Sequence, residues 1–370
     1  MGEEYTVIND VIVSSRVSCR CPVYIFVFWK IKEVPPVTIK DISAQTGYSV
    51  GTVSRVLNNQ PNVSEKARKI ILEAADSCGF QLNANAKQLK QSHSNSVLVV
   101  VCGTSNEMFS GLVETIQSSM ADSAYQLIVD YIDENSDEVR RAMQLCREKK
   151  PLGILFLGGN REHFEACFDR IEVPCVLVTS DASGLCFRNL SSVTTDDMLA
   201  ARTAIDRLVA LGHRNIAVIG GHRSSSGIAQ LRYQGCVAAF RDHGIAFDEE
   251  QDYESARFSF RDGYRAARNL LEKDRKYTAL FAMADVMAIG AIRALRDAGL
   301  RVPEDVAVMG FDGLEVGNYT VPALSTIRQD VDAMARRSVE MLLENIASIQ
   351  PPRHETVPFG VIMRESTKVN

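Results

Sequence analysis

The sequence predicts an α/β protein in which a small all-helical helix-turn-helix headpiece precedes a two-lobed core of two parallel-sheet α/β subdomains. Three short amphipathic helices with capping residues come first, and a polar linker follows them. From residue 96 onward, short apolar runs alternate with helical stretches, a pattern typical of parallel sheets covered by helices. The 370 residues are enough for one small module and a bilobed body.

Charge is distributed unevenly along the chain, although the net charge of -5 argues against a nucleic-acid binder at first sight. Residues 38–95 contain seven Lys and Arg against four Asp and Glu, whereas residues 96–370 contain 30 against 38. Only the contacting surface must be basic, so a basic head on an acidic body is compatible with DNA binding. The nine cysteines lack the paired spacing of a metal site. We expect a reduced, cytoplasmic chain without a metal ion.

Residues 1–36 are unlike the rest of the chain. Their apolar run, residues 23–29, is far shorter than the roughly 20 residues that span a membrane, and it lacks the flanks of a secretory signal. Pro35 and Pro36 then interrupt any regular structure. We predict an atypical N-terminal extension, with the functional chain beginning near Val37. A β-prone arm that packs elsewhere on the protein is the alternative.

The headpiece, residues 37–82, is predicted from capping residues and helical periodicity. Thr38 begins a helix with apolar residues at 39, 42 and 44, and Gly47 supplies a turn. Ser49 begins a second helix whose positions 53, 56 and 57 face inward, and Ser64 begins a third helix. The outward positions of the second helix are Val50, Gly51, Thr52 and Arg55. Periodicity alone is equally compatible with three ordinary amphipathic helices.

The segment TIKDISAQTGYSVGTVSRVLNNQPNVSEKARKIILEAADSCGF, residues 38–80, resembles the headpiece of the LacI/GalR family of bacterial repressors nearly position for position. In that family the second helix lies in the major groove of an operator, so the resemblance implies that Val50, Gly51 and Arg55 face base edges. The resemblance also implies that five further headpiece residues contact DNA phosphates or cap helices: Thr38, Ser49, Thr52, Ser54 and Asn58.

Arg55 is the strongest candidate for reading a base. Its planar guanidinium can donate to both O6 and N7 of a guanine. Gly51 has no side chain, so the base opposite it must be read through DNA shape or water. The alternative for Arg55 is a solvated charge on a helix surface.

Residues 83–95 form the predicted hinge helix and linker. A helix of about two turns does not persist alone in water, but it can fold on DNA. The segment resembles the hinge helix of the same family, which implies DNA contacts by Ala86, Lys87 and Leu89. Leu89 is then the apolar wedge that parts a base step in the minor groove. A linker leucine that packs on the core is the alternative.

The body, residues 96–370, resembles the sugar-sensing core that this family shares with periplasmic binding proteins. The segments ALGHRNIAVIGG and ALFAMADVMAIGAIRALRDAGLRVPEDVAVMGFDG carry the resemblance. It implies that a small-molecule effector, a sugar or related metabolite, contacts Met108, Phe109, Arg232, Phe258, Asp285 and Asp312. An arginine with a carboxylate can hold hydroxyl groups, and phenylalanines offer apolar faces to a ring. Alternatives are a core role for Met108 and a helix-cap role for Asp285.

Four positions depart from the family. Thr179 and Ser180 stand where an Asp-Arg pair is usual, Ala284 replaces an asparagine, and Ile228 replaces a frequent hydroxyl contact. These losses favour a less hydroxylated or unusual effector.

No nucleotide-binding glycine motif, P-loop, zinc-protease motif or nucleophile elbow occurs, so we predict no catalytic residue and no cofactor. The sequence therefore predicts a cytoplasmic, non-enzymatic transcription repressor, a homodimer that binds a palindromic double-stranded DNA operator under effector control and does not contact the membrane. The alternative is a periplasmic-type ligand-binding protein without DNA function.

Overall fold

The computed structural model describes residues 4–8, 11–15, 26–29, 37–57, 61, 63–78, 94–103, 107–222, 227–273, 275–348 and 350–367. The chain divides into two compact units, Met1–Lys90 and Gln91–Asn370. Their boundary falls within the predicted linker, residues 83–95.

The first unit begins with three strands, β1 (Glu4–Ile8), β2 (Val11–Ser15) and β3 (Phe26–Trp29). They form an antiparallel sheet in the order β1-β2-β3. This is the β-prone character assumed by the alternative interpretation of residues 1–36. That the segment is an extension stays a prediction.

Three helices follow, α1 (Ile39–Thr46), α2 (Val50–Leu57) and α3 (Glu65–Ser77). Each packs against the other two. Their shared core consists of Ile42, Val53, Val56, Ile71, Ala74 and Ala75. The predicted three-helix module is confirmed.

Local hydrogen bonds explain where these helices begin and end. The Asp41 carboxylate accepts from the Thr38 N–H at 2.8 Å and from its hydroxyl at 2.7 Å. Ser49 Oγ accepts from the N–H of Thr52 at 3.2 Å. Gly47 ends α1 with φ at 73°, a left-handed conformation that suits glycine. These caps were predicted from sequence.

The prediction that residue 44 lies on the inner face of α1 is wrong. Ala44 is exposed, whereas Ile42 is fully buried. Residues in an α-helix turn by about 100° each, so a residue two positions beyond a buried one points to the other side.

The second unit contains two lobes, each built on a six-stranded sheet. The sheet of the first lobe has the order β14-β8-β7-β6-β4-β5 and is parallel throughout. Its strands are β4 (Ser96–Cys102), β5 (Gln126–Ile132), β6 (Gly153–Leu157), β7 (Cys175–Val178), β8 (Leu190–Thr195) and β14 (His354–Val357).

The sheet of the second lobe has the order β10-β9-β11-β12-β13-β15. It is parallel except for the antiparallel pair β13 and β15. Its strands are β9 (Ile216–Gly220), β10 (Tyr253–Ser255), β11 (Ala279–Ala282), β12 (Ala307–Asp312), β13 (Ser325–Gln329) and β15 (Phe359–Ile362). The apolar runs of the body predict strands at residues 97–101, 127–131, 154–158, 175–178, 216–221, 279–283 and 306–312, and all seven are present, as β4, β5, β6, β7, β9, β11 and β12.

Helices cover the faces of both sheets. Those of the first lobe are α4 (Glu107–Met120), α5 (Glu138–Lys149), α6 (Arg161–Cys167) and α12 (Val331–Ala347). Those of the second lobe are α7 (Asp197–Ala210), α8 (Ile228–Asp242), α9 (Glu249–Asp252), α10 (Phe260–Glu272) and α11 (Asp285–Asp297).

Within the described residues the chain passes between the lobes at residues 195–197, 329–331 and 357–359. These connections place the carboxyl ends of strands from both sheets at one cleft. Ligands of open α/β folds bind at such strand ends.

Helices α10 and α11 approach each other closely through glycines. A Cβ atom on Gly290 would lie 2.1 Å from the carbonyl oxygen of Phe260, and one on Gly263 would lie 2.4 Å from that of Met287. Backbone atoms cannot move aside as a flexible side chain can. This crossing therefore requires glycine.

We expect Gly290→Ala to lower the free energy of unfolding by about 1–3 kcal/mol, because the methyl group forces the two helices apart. Gly111→Ala in α4 is the control, since its Cβ would make an ordinary 3.7 Å contact with Val331. That control should be neutral or slightly stabilising. Urea unfolding of the three proteins measures the difference, and a Gly290→Ala protein as stable as the parent would contradict the close crossing.

Candidate functional site

A cavity of about 480 Å³ lies between the two lobes, at the carboxyl ends of their strands. Residues of the first lobe contribute from the segments that follow β4, β5 and β6, and residues of the second lobe from those that follow β9, β10 and β12. Among the described lining residues are Cys102, Gly103, Glu134, Asn135, Asn160, His163, Gly221, His222, Ile228, Ala256 and Arg257.

Five of the six residues predicted to contact an effector line this cavity. Two come from α4 and three from the second lobe: Met108, Phe109, Arg232, Phe258 and Asp312. The structure thus brings together residues separated by about 200 positions in sequence.

Arg232 forms a buried polar floor, with 3% of its surface exposed. Its Nε donates to Asp197 Oδ1 at 2.7 Å, and its Nη1 donates to the carbonyl oxygen of Met283. Nη1 also lies 3.8 Å from Asp312 Oδ1. The guanidinium stacks on Phe311, 3.6 Å from the ring centroid. These contacts hold the guanidinium in one orientation.

The third guanidinium nitrogen of Arg232, Nη2, has no hydrogen-bond acceptor among the described residues. Because Arg232 lines the cavity, this N–H group is available to a ligand oxygen. Burial raises the pKa of Asp197, although the neighbouring Arg232 charge opposes that shift.

Asp312 ends β12 in a conformation that side chains rarely adopt, with φ at 115°. Its Oδ1 accepts a hydrogen bond from Gln329 Nε2 at 2.8 Å, and the same amide lies 3.1 Å from the sulfur of Met108. Gln329 thereby connects Asp312 of the second lobe with Met108 of the first. Strained backbone of this kind concentrates at functional sites.

Asp285 does not line the cavity, so the predicted effector contact requires correction. Its Oδ2 accepts from the N–H groups of Gly313 at 2.9 Å and Leu314 at 2.7 Å, and its Oδ1 accepts from the Thr326 hydroxyl at 2.6 Å. The carboxyl group thus fixes the turn that follows Asp312. It does not cap α11 either, because the N-cap position is Ala284. Burial, followed by the charge of Asp312, raises the pKa of Asp285 to about 8.

Met108 and Phe109 have two roles. Both are buried in the core cluster of the body, as the alternative for Met108 assumed, and both also line the cavity. A Cβ on Gly158 would lie 3.1 Å from Phe109 Cζ. The glycine turn after β6 therefore leaves space for this aromatic wall.

Sequence reasoning missed several polar wall residues of the first lobe. His163 Nδ1 lies 2.7 Å from Oε2 of Glu138, a fully buried carboxylate. Oε1 of Glu138 accepts from the N–H of Asn160 at 2.6 Å. Glu138 thus positions both Asn160 and His163 on the cavity wall. The available signal was their place directly after the apolar run of β6.

Asp137, Glu138 and His163 have their ligand atoms within 4.8 Å of one another, a spacing compatible with a metal ion. Each group already has a protein partner, since Asp137 caps α5 and pairs with Arg140 at 3.0 Å. Helix capping and the support of His163 account for this cluster without a metal.

The four positions that depart from the family separate into two groups. Ile228 lines the cavity, whereas Thr179, Ser180 and Ala284 do not. The hydroxyl groups of Thr179 and Ser180 are buried and have no hydrogen-bond partner among the described residues. Of the four departures, Ile228 alone changes the lining described here.

The exposed face of α2 carries the residues predicted to read DNA. Val50, Gly51 and Arg55 are exposed, opposite the buried Val53 and Val56. The other predicted headpiece contacts that the structure describes are Thr38, Ser49, Thr52 and Ser54, of which Thr38 and Ser49 are exposed and Thr52 and Ser54 half-buried. The remaining predicted DNA contacts, Asn58, Ala86, Lys87 and Leu89, lie outside the described residues.

None of the helices among the described residues is long and apolar enough to cross a membrane.

Two family models match the chain. One describes bacterial regulatory proteins of the lacI family and matches residues 38–83, and the other describes a periplasmic binding protein-like domain and matches residues 205–367. The HTH-type transcriptional regulator MalR of Clostridium butyricum is 32% identical over 331 residues, which cover 89% of this chain and 98% of the relative.

Solved structures of regulators are also similar. A lac repressor dimer bound to its operator and to the anti-inducer ONPF aligns with a TM-score of 0.71 at 26% identity, covering 90% of this chain and all of that one. A complex of the transcriptional regulator CelR with cellobiose aligns with a TM-score of 0.67 at 27% identity, covering 89% of this chain and 99% of that one.

The raised pKa of Asp285 predicts how stability depends on pH. Between about pH 4 and pH 8 the folded protein keeps a proton on Asp285 that the unfolded chain loses. The free energy of unfolding should therefore fall with rising pH in this window, by at most about 1.4 kcal/mol per pH unit, relative to Asp285→Asn.

Urea unfolding at several values between pH 5 and pH 8 measures this difference. Asp305→Asn is the control. Arg301 lowers the pKa of Asp305 to about 2, so this carboxyl group does not titrate between pH 5 and pH 8. Parallel stability curves for the parent and Asp285→Asn would show that the buried carboxyl is ionised throughout.

Proposed function

Because the chain belongs to the lacI family of bacterial regulatory proteins, which are DNA-binding transcription regulators, we propose that it represses transcription as an effector-controlled homodimer on a palindromic operator. The relatives favour this function over a periplasmic-type binding protein, because the match includes residues 38–83 as well as the body. We further propose that the protein acts in the cytoplasm, where an operator is accessible, and that it catalyses no reaction.

The observation that carries the proposal is the two-sided character of α2. One side contributes Val53 and Val56 to the headpiece core, and the other exposes Val50, Gly51 and Arg55. In the major groove, Arg55 donates to a guanine, while Gly51 leaves its base to be read through shape or water. Ser49 and Thr52, whose hydroxyl oxygens lie 3.0 Å apart at the helix start, are positioned for phosphate contacts.

The other DNA contacts follow the family pattern. We propose that residues 37–82 form the DNA-binding domain and residues 83–95 the hinge, in which Ala86, Lys87 and Leu89 enter the minor groove. Residues 1–36 are then an extension outside this machinery. Thr38, Ser54 and Asn58 complete the headpiece contacts with the backbone.

The cavity between the lobes is the proposed effector site, in residues 96–370. Arg232 offers its free Nη2 and Asp312 its carboxylate to ligand hydroxyl groups, and Phe109 and Phe258 provide apolar faces for a ring. The similar CelR structure contains cellobiose, which supports a sugar or related metabolite here. Ile228 adds an apolar wall, so fewer hydroxyl contacts are expected in this chain.

Self-association is supported by exposed apolar side chains of the second lobe. Tyr319 and Val321 are 75% and 84% exposed. The similar lac repressor structure is a dimer. A dimer presents two copies of α2 to the two halves of a palindromic operator. Effector binding then changes operator affinity through the arrangement of the lobes, with a coupling of about 1–3 kcal/mol.

We expect full-length protein to enrich a palindromic sequence from a random DNA library. On that sequence, Arg55→Ala should weaken binding by about 1–3 kcal/mol and relax the preference at one base pair of each half-site. Lys69→Ala on α3 is the control, since Lys69 is exposed but lies outside the recognition helix. Fluorescence anisotropy at several salt concentrations measures affinity, which should fall steeply with salt. Binding that does not depend on salt or on Arg55 would exclude the operator proposal.

We expect at least one compound from a panel of cellobiose, other sugars, nucleosides and phosphorylated metabolites to raise the unfolding temperature of the protein. Phe258→Ala should abolish that shift, because the ring lines the cavity. Phe260→Ala, a control two positions along at a surface site, should keep it. If both variants respond like the parent, the compound binds elsewhere.

A further inference from the structure

Two loops from different lobes meet at the cavity. Arg257 follows β10 in the second lobe, and Asp133 and Glu134 follow β5 in the first. Arg257 Nη2 donates to Asp133 Oδ2 at 2.7 Å, and Arg257 Nε donates to Glu134 Oε1. One guanidinium therefore bridges two carboxylates of the opposite lobe.

The ion pairs of Arg257 lie at the edge of the cavity. Arg257 and Glu134 both line the cavity, yet their side chains are 43% and 22% exposed. They therefore lie where the cavity meets solvent. By contrast, the contact of Gln329 with Met108 lies in the buried interior.

We propose that Arg257 is a positioning residue for effector binding, a latch that closes the two lobes over the cavity through Asp133 and Glu134. The inference rests on the proposed role of the cavity as the effector site. The latch holds the walls carrying Asn135 and Phe258 at the separation that a ligand needs, and its opening admits the ligand.

The strength of the contact suits a reversible latch. Ion pairs exposed to solvent contribute little and are screened by salt, although the two-pronged geometry of arginine makes this one specific. The three connections at residues 195–197, 329–331 and 357–359 join the lobes whether or not the latch is closed. Breaking the latch should therefore open the cavity without unfolding either lobe.

Cys102 provides a reporter inside the cavity. Burial, together with the carboxylates of Glu138, Glu134 and Asp133, raises the pKa of its thiol to about 12. A thiol with that pKa is alkylated slowly. Opening of the cavity hydrates the thiol and therefore speeds its alkylation. Loss of the Arg257 charge without opening leaves Asp133 and Glu134 unneutralised, which disfavours the thiolate and slows alkylation. The two effects differ in sign, so the rate separates them.

The test uses the full-length protein without effector or DNA. Alkylation of Cys102 by the neutral reagent iodoacetamide is followed by mass spectrometry of the peptide that contains it. Arg257→Gln should react roughly three- to tenfold faster than the parent. Arg293→Gln is the control, because it breaks an exposed ion pair with Asp297 inside the second lobe and should leave the rate unchanged.

Two further measurements make the outcome decisive. Raising the salt concentration from about 0.05 M to about 0.5 M should speed alkylation of the parent more than that of Arg257→Gln, because salt screens the latch that only the parent has. Reversing one charge, in Arg257→Glu, should also speed the reaction. Exchanging both, in Arg257→Glu with Glu134→Arg, should slow it again.

The latch is excluded if Arg257→Gln reacts no faster than Arg293→Gln, or if the charge exchange does not slow the reaction of Arg257→Glu. Should Arg257→Gln fail to fold, the charge exchange remains a test, and a parent rate independent of salt counts against the latch. Since no DNA or effector is present, failure here leaves the operator and thermal-shift results intact.

Discussion

The structure of the cavity between the lobes depends on the burial of one charge, that of Arg232. Burying a guanidinium with only 3% of its surface exposed is costly unless its N–H groups are bound. Here Asp197 binds Nε and the carbonyl of Met283 binds Nη1, with Asp312 close by. These partners come from α7, the end of β11 and the end of β12. One ion therefore joins the start of α7 to the ends of β11 and β12 at the cavity floor, while Nη2 has no acceptor among the described residues.

That floor is linked to the first lobe through few groups. Asp312 binds Gln329, which lies at one of the connections between lobes and also contacts Met108. On the solvent side, Arg257 binds Asp133 and Glu134. A ligand that engages Asp312 would thus contact a residue hydrogen-bonded to Gln329, which in turn contacts Met108 of the first lobe. A small local change can be amplified in this way, because packed lobes have discrete arrangements and do not deform continuously.

Local features of the fold could be predicted from sequence, whereas long-range features could not. The caps at Thr38 and Ser49 depend on neighbours in sequence, and seven of the strands in the body coincide with apolar runs. The apolar runs do not predict strand β8, because its sequence LSSVTT is rich in Ser and Thr, which is typical of a loop, although all six residues are buried. The family resemblance assigns Asp285 to the ligand, but its carboxyl group binds residues 28 to 41 positions away in sequence. Arg257 was missed for the same reason, since Asp133 is 124 residues away in sequence.

The proposed function requires that one chain couple DNA binding to occupation of the cavity. The most direct test measures operator affinity with and without a saturating amount of a compound that stabilises the protein, and then the affinity for that compound with and without operator. We expect a change of about five- to 150-fold, of equal size in both measurements. Operator affinity that is unchanged by a compound bound in the cavity would contradict it.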